Sequence, residues 1–93
     1  MSHAIVVHVD LNGRTREQDE KLLNEQIVPG AKGQPGFERG VWLRAPDGTK
    51  GMAVMVFDSE ENVNQMRDAL DTMRPSDAPP ITGTDVFAVI AQA

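Results

Sequence analysis

Residues 35–57 read PGFERGVWLRAPDGTKGMAVMVF, and the last six of them, Met52-Ala53-Val54-Met55-Val56-Phe57, carry no polar side chain. A β-strand sends successive side chains to opposite faces. Met52, Val54 and Val56 therefore point one way and Ala53, Met55 and Phe57 the other, so both faces of this strand need cover. Upstream, Phe37 to Arg44 is a second strand-forming run. Ala45-Pro46-Asp47-Gly48-Thr49 between them is turn chemistry, in which proline presets φ, the aspartate bonds nearby backbone and glycine accepts positive φ. The stretch predicts a β-hairpin whose second strand is buried on two sides.

Towards the N-terminus, Ala4 to Asp10 predicts a strand in which Ile5, Val6, Val7 and Val9 are interrupted only by His8. Leu11-Asn12-Gly13 turns the chain. Thr15 followed three residues later by Gln18 is a capping box that starts a helix. Leu22, Leu23 and Ile27 give that helix a narrow apolar stripe, and Pro29-Gly30 is expected to end or kink it. Beyond the hairpin, Asp58 or Ser59 can cap a second helix in which Val63, Met66, Leu70 and Met73 recur at i, i+3, i+7 and i+10. Arg74 before Pro75 closes it. A proline-rich loop leads to a last strand predicted over Asp85 to Ala91.

The order β-α-β-β-α-β within 93 residues is that of an α+β, ferredoxin-like domain, a four-stranded antiparallel sheet with two helices on one face. Residues 1–93 make a single domain. Its second sheet face stays apolar, which exceeds what a soluble monomer ordinarily exposes. The expected partner is a second copy of the chain, giving a homodimer through stacked sheet faces with Met52, Val54 and Val56 as the candidate dimer face. The alternative is a monomer in which segment 75–84 folds over that face.

Composition narrows the function classes. The net charge is −5, and the pI near 4.8 argues against binding nucleic acid or an anionic membrane surface through phosphate contacts. There is no cysteine, hence no disulfide framework or thiolate metal site, which fits a cytoplasmic location. Met1-Ser2-His3 runs directly into the first strand, so neither signal peptide nor spanning helix is expected. His3 and His8 face opposite ways along one strand and cannot share a metal; no metal site and no cofactor is expected. Lys50 to Phe57 is similar to the third-strand octapeptide of RNA-recognition motifs, but Met52 and Val54 replace the stacking aromatics. Asp19, Glu20, Glu25, Glu60 and Glu61 read as solvated helix faces and caps.

Four pieces together carry a resemblance: Ile5-Val6-Val7-His8, Pro35-Gly36-Phe37, Val54 to Glu61, and Asp85-Val86-Phe87-Ala88-Val89-Ile90. With this spacing the chain resembles, over nearly its whole length, the antibiotic-biosynthesis-monooxygenase-like, or dimeric α/β-barrel, proteins. The resemblance implies a homodimer and a pocket between sheet and helices in each subunit, without implying one activity. Haem-degrading members use an asparagine on strand one, a tryptophan ending strand three and a histidine on the helical side. Here His8 and Phe57 stand in the first two positions and the second helix has no histidine, so that triad is not matched. Quinol-oxidising members activate oxygen without a cofactor through polar and aromatic pocket residues, whereas this chain has no tyrosine and one tryptophan.

The resulting candidate ligand pocket is His8, Trp42, Met55, Phe57 and Met66, suited to a small apolar or aromatic ligand. Two readings of His8 stand: a strand histidine satisfied locally, or a pocket base able to exchange protons near neutral pH. Trp42 is either a buried sheet aromatic or a ligand-stacking surface. The methionines read first as core filler, and second as the lining of an adaptable apolar pocket. A cofactor-independent monooxygenase and a ligand-binding protein both fit. The alternative is a non-enzymatic structural or regulatory interaction protein whose pocket is filled.

Overall fold

A computed structural model describes residues 1–93. Four strands, β1 (His3–Asp10), β2 (Phe37–Arg44), β3 (Lys50–Phe57) and β4 (Ile81–Ala88), form one sheet in the order β2-β3-β1-β4, every neighbouring pair antiparallel. The first helix runs over residues 16–32 between β1 and β2, and the second, Glu60–Met73, joins β3 to β4. This is the ferredoxin-like arrangement expected from the element order. The two central strands are β1 and β3, the latter the strand with no polar side chain from Met52 to Phe57.

Register fixes which residues share a face. Ile5 lies opposite Met55, Val7 opposite Ala53 and His3 opposite Phe57. Ile5, Val7, Ala53, Met55 and Phe57 meet Val63, Met66 and Leu70 of the second helix and Ala31 of the first in one buried cluster. The predicted i, i+3, i+7 stripe is therefore core. Ser59 caps the second helix through the Asn62 N–H, and Thr15 and Gln18 cap the first reciprocally.

Two strand irregularities decide what reaches the core. By strict alternation Phe37 would share a face with Val41 and Leu43. A register shift between Phe37 and Arg39 turns it to the helix side, opposite Phe57, where the rings meet edge to face at 5.8 Å. A matching shift between His8 and Val9 lets Ile81 lie opposite Val9 and pack on the core. The predicted last strand, Asp85 to Ala91, is thereby corrected: β4 begins at Ile81 and ends at Ala88. β1 supplies pairing partners from His3 to Val9, and the β-branched Ile81-Thr82-Gly83-Thr84 run answers them despite its glycine.

The end predicted at Pro29-Gly30 is also corrected. Helix continues to Lys32 as Arg16–Leu22, a π-helical turn Leu23–Ile27, and Val28–Lys32. Proline lacks the amide proton and its ring crowds the carbonyl four residues back. In the wide turn the Val28 N–H donates to Leu23 O, five residues back, and the widened backbone just before Pro29 accommodates the ring. The Pro35-Gly36-Phe37 motif has a specific cause as well. Gly36 has φ +77°, its carbonyl accepts the Asp58 N–H at 2.9 Å, and a Cβ there would lie 2.3 Å from Asp58 Oδ1.

The face away from the helices carries Ala4, Val6, His8, Val41, Leu43, Met52, Val54, Val56, Asp85 and Phe87, by strand alternation and register. Val41 (48%), Leu43 (49%) and Phe87 (54%) are markedly exposed there. The 75–84 segment does not cover this face: Pro75, Ala78 and Pro79 turn to the helix side. Beyond β4 the chain crosses one end of the sheet instead. The Val89 N–H bonds Ser2 O at 2.9 Å, and Arg39 of the far edge strand donates to Gln92 Oε1 at 2.5 Å. No helix is long and apolar enough to cross a membrane.

Candidate functional site

Between the helix side of the sheet and the two helices lies a cavity of about 530 Å³. That volume is within the range of small-molecule sites. Its floor is Val7, Val9, Trp42, Ala53, Met55 and Ile81; its walls are Leu22, Leu23 and Ile27 from the first helix and Met66, Leu70 and Met73 from the second. Loop residues Pro75, Ala78 and Pro79 close one side. The space exists because large side chains concentrate at the Phe37–Phe57 end of the sheet. At the other end β3 presents only Gly51 and Ala53 to this side.

Trp42 is positioned by a small neighbour. Gly40 precedes it on the same face, and a Cβ there would come within 2.9 Å of Trp42 Cη2. The indole thus lies along its own strand, over the glycine, with an edge on the cavity. Arg44, two residues further, shares that face.

Arg44 belongs to the polar mouth. Asp19 is buried, and both its oxygens are engaged: Arg14 Nε donates to Oδ1 and Arg44 Nη1 to Oδ2, each at 2.6 Å. Arg14 Nη1 also donates to Asp77 O at 2.8 Å, tying the 74–80 loop to the start of the first helix. Arg74 donates to the Pro79 carbonyl within that loop. Arg16 and Glu20, exposed and 2.8 Å apart, complete the rim. Desolvation makes a buried carboxylate costly unless paired, and here two guanidiniums meet it.

The structure distributes the sequence-derived site residues unevenly. Trp42, Met55 and Met66 line the cavity. His8 does not reach it: paired opposite Met52 and Gly83, it lies on the other sheet face, 3.9 Å from Asp85 and bordering a separate depression with Leu43 and Met52. Phe57 is fully buried against Phe37 and belongs to the solid part of the core. Two residues beyond Met55 along β3, it lies past the end of the open space. Of the candidate dimer face, Met52 and Val54 are half-buried on the open side, while Val56 is buried where the chain end crosses.

Asp19 corrects the reading of the acidic residues as solvated. Sequence reasoning also passed over Arg14, Arg44 and Arg74. The signals were present: Asp19 precedes Leu22 and Leu23 by three and four residues, on the stripe that faces the sheet, and Arg44 has the parity of Trp42. No group of three or more His, Cys, Asp or Glu side chains is placed to hold a metal. In the hairpin turn, Asp47 is held below the usual carboxyl range because it accepts the backbone N–H and then the hydroxyl of Thr49; it does not line the cavity.

Compared with known proteins, the chain matches no family model and no curated protein. Among solved structures it is similar to Rv0793 from Mycobacterium tuberculosis, with a TM-score of 0.64 at 15% identity, the match covering 100% of this chain and 99% of that one. It is equally similar to a monooxygenase from the gene ActVA-Orf6 of Streptomyces coelicolor in complex with the ligand Nanaomycin D, with a TM-score of 0.64 at 17% identity over 99% of this chain and 90% of that one. The chain shares the ferredoxin-like fold of these two structures, the fold that the resemblance read from its sequence implied. At these identities the likeness concerns the fold, and both matches span essentially the entire domain.

Proposed function

We propose that this protein binds a small apolar or aromatic ligand in the cavity between sheet and helices, with Trp42, Met55 and Met66 among the contacts, and works as a cytoplasmic homodimer. The observation that carries the reading is the cavity itself, about 530 Å³ of space lined by Val, Leu, Ile, Met and Trp side chains. A filled core, the premise of a purely structural role, is disfavoured by that open volume. The exposed Val41, Leu43 and Phe87 beside Val54 and Met52 support the dimer, because two such faces stacked together remove them from water.

A cofactor-independent oxygenase acting on the bound ligand is the catalytic form of this reading. Its support is the likeness to a monooxygenase captured with a ligand.

The test is a thermal-shift and tryptophan-quenching screen of the purified protein against quinols, quinones, flavins and haem. At least one aromatic ligand is expected to raise the melting temperature and quench Trp42, the sole tryptophan. A panel that leaves both unchanged ends the ligand reading. Sedimentation showing only a 10.1 kDa species at low micromolar concentration ends the dimer.

A further inference from the structure

We infer that the ligand is an amphipathic anion whose apolar body fills the cavity and whose anionic oxygen head meets Arg44 and Arg74 at the mouth. This rests on the ligand-binding reading above and narrows it by charge. The chain as a whole carries −5, yet the mouth has the opposite sign. Five charged residues line the cavity: Arg16, Arg44 and Arg74 against Asp19 and Glu20. Arg16 and Glu20 pair with each other at the exposed rim and cancel.

Asp19 has spent one oxygen on Arg14 and the other on Arg44, so one negative charge faces two positive ones. Arg74 takes part in none of the five ion pairs of the chain; its partner is the neutral Pro79 carbonyl. Three guanidiniums therefore stand against a single carboxylate. Arg14 Nη2 is buried without any hydrogen-bond partner, as expected where cationic donors outnumber acceptors. Arg14 does not line the cavity, but Arg44 does, and it uses only Nη1 on Asp19 and a long 3.3 Å bond from Nη2 to Arg14 O. A guanidinium has five N–H donors, which leaves Arg44 free ones for a ligand oxygen.

Beside an apolar wall these charges are poorly screened. A neutral ligand leaves the surplus uncompensated, whereas a monoanion offsets it through charge-assisted hydrogen bonds. Fatty carboxylates and ionised planar aromatic acids share this chemistry, an apolar body with one anionic oxygen group.

The test compares two fluorescent probes that differ by one anionic group, 8-anilinonaphthalene-1-sulfonate and its neutral parent N-phenyl-1-naphthylamine, titrated into the full chain. The anion should bind about tenfold tighter, the size expected of one charge-assisted hydrogen bond. R44M and R74M should each erase that preference and leave the affinity of the neutral probe unchanged. R67M, on the exposed side of the second helix and outside the cavity lining, should alter neither. Should R44M fail to fold because Asp19 loses a partner, the ratio in the unaltered protein and the R74M result decide. Dodecanoate and 2-naphthoate are then used as competitors: displacement by the first identifies a chain-like body, by the second a planar one, and displacement by neither overturns the inference. Equal affinity for the two probes overturns the anion preference while leaving the pocket standing. Binding of neither probe removes the pocket reading too, and loss of the preference in R67M would make it an effect of overall charge and overturn the inference.

Discussion

Replacing Asp19 by alanine removes the one carboxylate that holds two guanidiniums at the cavity mouth. Its side chain is 12% exposed, and the nitrogens facing it, from Arg14 at 14% and Arg44 at 27%, each lie 2.6 Å away. Breaking a buried pair by removing one partner costs about 3 to 5 kcal/mol, mostly as the cost of stranding the remaining charge. Arg44 is exposed enough to swing partly into water, which places the loss near the lower end, at about 3 kcal/mol. For a domain of this size each kcal/mol lowers the melting temperature by about 4 to 8 °C, so a fall of about 12 to 24 °C is expected. Urea unfolding followed by Trp42 fluorescence measures it, at one protein concentration because dimerisation makes apparent stability concentration-dependent. D19A/R44M should be more stable than D19A, since it discards one of the stranded charges. A loss below half a kcal/mol in D19A, or a double variant no more stable than D19A, would refute the view that Asp19 neutralises a cationic cluster.

Phe57→Ala should cost about 3 to 5 kcal/mol in the same unfolding assay, because the ring is fully buried against Phe37; a loss under 1 kcal/mol would return Phe57 to the cavity wall. Gly36→Ala should destabilise by at least about 1 kcal/mol, the penalty for a left-handed backbone with a Cβ, compounded by contact with Asp58; unchanged thermal melts would refute the close approach. Val54→Lys on the open face should give a monomer in sedimentation with its circular dichroism spectrum retained, whereas a persisting dimer would move the interface elsewhere.

Much of the fold was legible because it depends on short-range patterns. The hairpin followed from Phe37–Arg44, Pro46-Asp47-Gly48 and the apolar run to Phe57, and the second helix from Val63, Met66 and Leu70. What failed did so at features whose cause lies elsewhere in the chain. The first helix passes Pro29 because a π-turn widens the backbone before it, and β4 starts early because β1 has partners to satisfy as far as Val9. Within the candidate site, helical period put Met66 on the stripe that faces the sheet, whereas parity grouped Met55 with Ala53 and Phe57 and left the face of Trp42 open. That of His8 was open too, since alternation says only that it opposes Val7 and Val9, never which of the two faces the helices cover.

The sequence by itself determined the order of elements, the parity along each strand, the capping of both helices and the excess of apolar surface on the sheet. All of these rest on interactions between residues a few positions apart. Tertiary structure alone decided that bulges turn Phe37 and Ile81 inward, that Asp19 is buried between Arg14 and Arg44 rather than solvated, and that the cavity opens at Gly51 and Ala53 rather than at Phe57. The physical reason is common to the three. Burial and charge pairing are set by what packs opposite a residue, and for Asp19 and Arg44 that neighbour lies 25 positions away in the chain.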